Sequence, residues 1–152
     1  MKRLFFITSL AALLLSACGA PGEIEVHQPW ARSAMQGANS AVYFELHNHS
    51  DQDDELLGAS SDVAEAVEIH LSSMNDQGMM QMAKQDSVAL PVDAEILFAP
   101  GGLHVMLIGL TRDLKAGDHF QLTLRFKARA DIVLDVVVQE MEGMDMGATH
   151  TP

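Results

Sequence analysis

Pro100-Gly101-Gly102-Leu103-His104-Val105-Met106-Leu107-Ile108-Gly109-Leu110 reads as a turn followed by a strand. Proline presets the first turn position, and the two glycines accept backbone angles that close a sharp reversal. The residues after them are apolar and largely branched, as a half-buried strand requires. On a strand, positions 104 and 106 point to one face, ~6.6 Å apart along the chain. An imidazole and a thioether therefore project together.

Working outward, short runs of the same kind recur at residues 41–46, 67–71, 79–83, 94–98, 120–126 and 132–138. Turn signals separate them at 48–54, 75–78 and 115–118. No stretch between 24 and 138 carries a sustained helical stripe; residues 61–66 are the one place where a single helical turn is expected. Many short strands with frequent turns predict an antiparallel β-sandwich or barrel. Trp30 and Tyr43 are expected in its core, and Arg32 is expected to pair with an acidic neighbour. The acidic runs 51–55 and 65–68 are expected at the solvated surface. His47 and His49 share a face by period two but bring no sulfur, and read as solvated. His27 and His119 read as structural.

Residues 70–82 supply a second pair of soft donors. They read as strand, polar turn and strand. A hairpin centred on Asp76 sets His70 opposite Met82, with Cβ atoms ~5 Å apart. Two neutral imidazoles with two neutral thioethers prefer Cu(I) to the hard cations that oxygen donors select. Met80 shares a face with Met82 on a regular strand and is a candidate additional ligand. Met74 is a weaker candidate of the same kind, and Met79 is expected to face away.

Composition narrows the functional classes. The chain has 152 residues, ten methionines and one cysteine, with nine basic against 21 acidic side chains. A net charge of −12 argues against nucleic acid, whose phosphates need a basic face. One cysteine makes no internal disulfide, iron–sulfur cluster or Cys-rich zinc site. The thiolate of a blue-copper centre is equally missing from the folded part. No Ser/His/Asp or Cys/His arrangement and no phosphate-binding loop supports an enzyme.

The first 17 residues read as an export signal: Lys2 and Arg3, then an apolar run over residues 4–15 too short for a comfortable membrane span. Leu15-Ser16-Ala17-Cys18 resembles the lipobox of bacterial lipoproteins, which implies cleavage after Ala17 and lipidation of Cys18. Gly19 resembles the pattern of outer-membrane sorting. The expected organisation is a signal at 1–17, a lipidated tether at 18–23, a folded domain at 24–138 and a flexible Met-rich tail at 139–152. Losing Lys2 and Arg3 leaves seven basic residues against 21 acidic, or −14.

Eleven residues separate His70 from Met82, 21 separate Met82 from His104, and one separates His104 from Met106. That spacing resembles the motif of the periplasmic copper chaperone family called PCuAC, with Leu71 in a slot the family often fills with Met. Trp30-Ala31-Arg32, Ala41-Val42-Tyr43, Asp54-Glu55-Leu56-Leu57 and Leu114-Lys115-Ala116-Gly117-Asp118 are also similar, so the likeness spans residues 24–138. It implies a cupredoxin-like Greek-key β-sandwich that binds one Cu(I) through His70, Met82, His104 and Met106. It further implies delivery of copper in the periplasm to an oxidase subunit or assembly factor, notably for the copper A centre of cytochrome c oxidase, without bond-making catalysis. Met141, Met144, Met146 and His150 resemble the Met/His-rich extension of many members, which implies further Cu(I) or Cu(II) binding in the tail. A general copper buffer and a metal-free structural lipoprotein are the alternative roles.

Overall fold

A computed structural model describes residues 23–140. The export signal, Cys18 and the tail donors Met141, Met144, Met146 and His150 lie outside the described residues. No helix within them is long and apolar enough to cross a membrane.

Ten strands follow in chain order: β1 (Ile24–Arg32), β2 (Ser40–Asn48), β3 (Asp54–Ser60), β4 (Ala64–Met74), β5 (Met80–Gln85), β6 (Val88–Leu90), β7 (Glu95–Phe98), β8 (Leu103–Leu110), β9 (His119–Phe126) and β10 (Ile132–Gln139). They form one ladder ordered β5-β4-β8-β7-β2-β1-β10-β9-β3-β6, with β8 also pairing β2. The ladder folds over so that β3 packs against β4, and its concave face becomes the core. The expected sandwich is present, but its ladder is mixed. β1 runs parallel to β10, and β7 meets β8 in parallel at Phe98 and Leu103.

Period-two patterning explains which side chains go inward. Phe120, Leu122, Leu124 and Phe126 on β9 are buried, as are Leu134, Val136 and Val138 on β10. Val42, Phe44 and Leu46 from β2 meet Val105 and Leu107 from β8 in the same core, and Phe44 stacks on Phe98 with ring centroids 4.3 Å apart. Each such large side chain contributes roughly 1.5–3 kcal/mol relative to exposure.

Five expectations need correction. Residues 61–66 make no helical turn: Asp62 and Val63 form a tight turn and Ala64 already begins β4. Asp54 is not solvated. Its carboxylate is enclosed, accepts from Arg129 Nε at 2.6 Å and from the amides of Glu55 and Ala128, and ties the start of β3 to the β9–β10 connection. Arg32 makes no ion pair among the described residues. Trp30 is only half-buried, tilted over the buried ring of Tyr43 at 4.6 Å. β10 continues to Gln139, opposite Arg32, into the stretch assigned to the tail.

Candidate metal centre

The antiparallel pairing of β4 with β8 sets His70 directly opposite His104, with ring centroids 5.9 Å apart and planes at 65°. Met106 follows His104 on the same face, between Glu68 of β4 and Ala41 of β2. This is the face opposite the core, since the intervening Val105 is fully buried.

Both imidazoles are held in defined tautomers. The turn before β8, with Gly101 at φ 82°, presents the Gly102 carbonyl to His104 Nδ1 at 3.1 Å. A carbonyl only accepts, so Nδ1 carries the hydrogen and Nε2 keeps its lone pair. His104 is otherwise buried, 4% exposed, with the Tyr43 ring 6.4 Å away. His70 has the reverse assignment. Its Nε2 donates to Glu68 Oε2 at 2.9 Å, leaving the lone pair on Nδ1, which is buried without a hydrogen-bond partner among the described residues. An unpaired buried acceptor costs about 1–3 kcal/mol, which makes this nitrogen a candidate donor to a ligand. Glu68 also accepts from Lys84 Nζ at 2.6 Å. Lys84 first, and His70 with it, hold the Glu68 carboxyl below the usual glutamate range.

The β4–β5 hairpin has a different register from the one expected. Asn75 Oδ1 accepts from the amides of Gln77 and Met79, and Gly78 takes φ 74°. This side-chain-closed turn pairs Met74 with Met80, Ser72 with Met82 and His70 with Lys84. His70 and Met82 are therefore diagonal rather than opposite. A slip of two residues preserves the side-chain face, so Met82 still projects on the side of His70. Ser72 is small, pairs with Met82 and donates its amide to the Gly102 carbonyl in the turn leading into His104, and Ser72 and Met82 line the same cleft.

Met82, Ser72, His104, Met106, Ala41 and Tyr43 line one cleft of about 360 Å³. His70 stands beside this cleft rather than in its wall. Met82 is 56% exposed on the edge strand β5, while His104 is enclosed. The centre thus has a fixed inner side and an open outer one. Met80 and Met74 face each other one step further toward the hairpin tip, exposed and outside the cleft wall; Met79 is exposed in the turn.

Sequence reasoning missed Glu68, Ser72, Tyr43 and the backbone of Gly102 as parts of this centre. Glu68 was findable, since it stands two residues before His70 on a strand and so shares its face. Nothing local in sequence points to Ser72, whose role depends on the hairpin register.

His47 is less solvated than expected, whereas His49 is exposed as expected. Their rings are 5.7 Å apart, and the ring of His27 lies 5.1 Å from that of His47. The three share a sheet face with Glu25, Glu45 and Glu95. His119, expected to be structural, is half-exposed and paired with Asp135 at 2.8 Å.

A protein family described as "Putative lipoprotein LpqE-like" matches residues 24–138. Uncharacterized protein RP573 of Rickettsia prowazekii is 39% identical over 125 residues, covering 78% of this chain and 68% of that protein. "Putative lipoprotein Lxx21020" of Leifsonia xyli is 30% identical over 156 residues, with 93% of each chain covered. Among solved structures, a copper-bound PCuAC domain from PmoF2 superposes with a TM-score of 0.66 at 27% identity, covering 80% of this chain and 96% of that one. The Cu(I) form of DR1885 from Deinococcus radiodurans gives a TM-score of 0.62 at 27% identity, covering 82% and 84%.

Proposed function

Because the chain belongs to the LpqE-like family and shares the cupredoxin-like sandwich of PCuAC domains, we propose that it is a copper chaperone that carries Cu(I) on His70 Nδ1, His104 Nε2 and the sulfurs of Met82 and Met106. One observation carries this reading. The two histidines stand opposite each other in complementary tautomers, each with a lone pair spared by the hydrogen bond on its other nitrogen, on the face that holds both thioethers. Four neutral donors, two of them soft, favour a monovalent soft ion over a divalent hard one. The copper-bound PCuAC relatives support the same cargo.

Release follows from the asymmetry of the centre. The buried His104 retains the ion while the exposed Met82 is exchanged for an incoming donor on an acceptor. The ion changes ligands without any covalent bond being made or broken in the protein. The acceptor is a periplasmic copper protein, with the copper A centre of cytochrome c oxidase or its assembly factor as the destination. Cys18 supplies a lipid anchor in the outer membrane. Met141, Met144, Met146 and His150 add a weaker capture site that delivers Cu(I) to the main one or holds Cu(II).

A Cu(I) competition titration of the full mature chain tests the reading. One equivalent should bind tightly, and His104→Ala combined with Met106→Ala should abolish competition with the chelator. No uptake, or unchanged affinity in that double variant, would leave a metal-free structural lipoprotein. Delivery is tested separately by oxidase copper loading under copper limitation in cells lacking the protein. Normal loading would leave a general copper buffer.

A further inference from the structure

A second cluster of donors lies on the same outer face, ~20 Å along β2 from Ala41. β1 and β2 pair Glu25 with His47 and His27 with Glu45, and β7 brings Glu95 opposite His47 from the other side. His49 follows His47 on the same face. Three imidazoles and three carboxylates thus occupy one patch, with no sulfur among them.

Ring nitrogens and carboxylate oxygens in the patch lie within 4 Å of one another. Oε2 of Glu25 stands 3.2 Å from His27 Nε2 and 3.9 Å from His49 Nε2, so one oxygen faces two ring nitrogens. His47 Nε2 lies 3.8 Å from both Glu45 Oε2 and Glu95 Oε1. That nitrogen is buried, yet has no hydrogen-bond partner among the described residues. Donors bound to one ion at about 2.0–2.2 Å stand roughly 3–4 Å from each other, which is the separation found here.

We propose that His27, His47 and His49, with Glu25 and one of Glu45 or Glu95, form a second metal site that takes a divalent borderline cation. Imidazole and carboxylate donors suit Cu²⁺ and Zn²⁺, and the ordering of divalent affinities places Cu²⁺ first. The site is assembled on one face but not closed: no three His or carboxylate groups among the described residues already converge on a point. His47 is the fixed member, with a side chain 21% exposed. His49, Glu25 and Glu95 are 52%, 44% and 70% exposed, and close on the ion by rotamer changes at the surface. The carboxylates offset the charge that a divalent ion brings. The cluster is independent of the Cu(I) reading and separates the two oxidation states by donor chemistry.

The test uses the full mature chain carrying His150→Ala, which removes the imidazole of the tail. Titrating this chain with Cu²⁺ in air, followed by electron paramagnetic resonance, should show one ion with nitrogen hyperfine structure from imidazoles. His47→Gln should weaken binding about ten-fold or more. The surface change His49→Gln, which puts folding at little risk, should weaken it several-fold. Met82→Ala with Met106→Ala should leave Cu²⁺ binding unchanged, and His47→Gln should leave the Cu(I) titration unchanged. Absence of Cu²⁺ uptake overturns the proposal. So does binding that survives both histidine changes, or that is lost with the two methionines.

Discussion

His70 stands directly opposite His104 across the β4–β8 ladder, yet the two rings use opposite nitrogens for their protein hydrogen bonds. His104 is bound at Nδ1 by a backbone carbonyl, and His70 at Nε2 by a carboxylate. The consequence is a pair of spared lone pairs, one from each strand. His104 sits deeper and its support comes from the main chain, so it should dominate retention of the ion. His104→Ala is expected to lower Cu(I) affinity by more than about 100-fold, or roughly 2.7 kcal/mol. Competition against a chelator of known affinity reads this directly.

Glu68 sets the tautomer of His70 and should behave as a positioning residue. Loss of such an outer partner typically costs 10–100-fold in metal affinity. Glu68→Ala is expected to fall within that range. Glu68→Gln keeps an acceptor for Nε2–H and should recover most of the loss. Nitrogen chemical shifts of the His70 ring provide a readout that a merely structural role would not move: the alanine variant should show mixed tautomers, and the glutamine variant a single one.

The hairpin register separates Met82 from its neighbours. Met82 lines the cleft across Ser72, whereas Met80 and Met74 face each other nearer the tip. Met82→Ala should weaken Cu(I) binding about ten-fold or more. Met80→Ala and Met74→Ala should each change equilibrium affinity less than about three-fold. A larger effect from Met80 than from Met82 in the same titration would mean that the hairpin closes one step differently in the loaded protein.

The same hairpin shows what could be read from the chain. Alternation placed His104 and Met106 on one face, and that relation depends only on the pleat. The pairing of His70 with Met82 depended on where the turn closes, which Asn75 and Gly78 decide through a side-chain-capped turn. A two-residue slip spared the face and changed the partners. β8 was legible to the residue because a Pro-Gly-Gly turn announces it. β1 was not, because Gln28 takes φ 50° ahead of Pro29 and the register shifts between His27 and Trp30, which breaks the alternation. That bulge brings His27 and Trp30 to the same face, against their spacing in sequence. β3 was hidden by Asp54, an acidic residue buried by a partner 75 positions away. The patch of His27, His47 and His49 was illegible for the same reason: it is assembled by pairing between strands, and its sequence shows only scattered histidines.

Asp54 provides a pH-dependent prediction away from the candidate metal centre. Burial by itself raises the Asp54 carboxyl. Hydrogen bonds from Arg129 and from the amides of Glu55 and Ala128, with the Arg129 charge, outweigh burial and hold it below the ordinary 3.8. A depressed carboxyl stabilises the fold above its unfolded value, and that stability is lost as pH falls through the lower folded value. The window therefore opens just below pH 3.8 and extends further into acid. Asp54→Ala leaves Arg129 mostly enclosed without its partner and should cost about 3 kcal/mol at pH 7. Between pH 4 and pH 2 the wild type should lose stability more steeply than Asp54→Asn, which cannot lose this charge. Glu55, held low first by Lys127 and then by Ser87, is raised by the neighbouring Asp54 charge, so it titrates in both proteins and in Asp54→Asn is freed of that charge. Urea unfolding at a series of pH values gives both slopes. Parallel slopes would show that the Asp54–Arg129 contact does not govern the acid limb of stability.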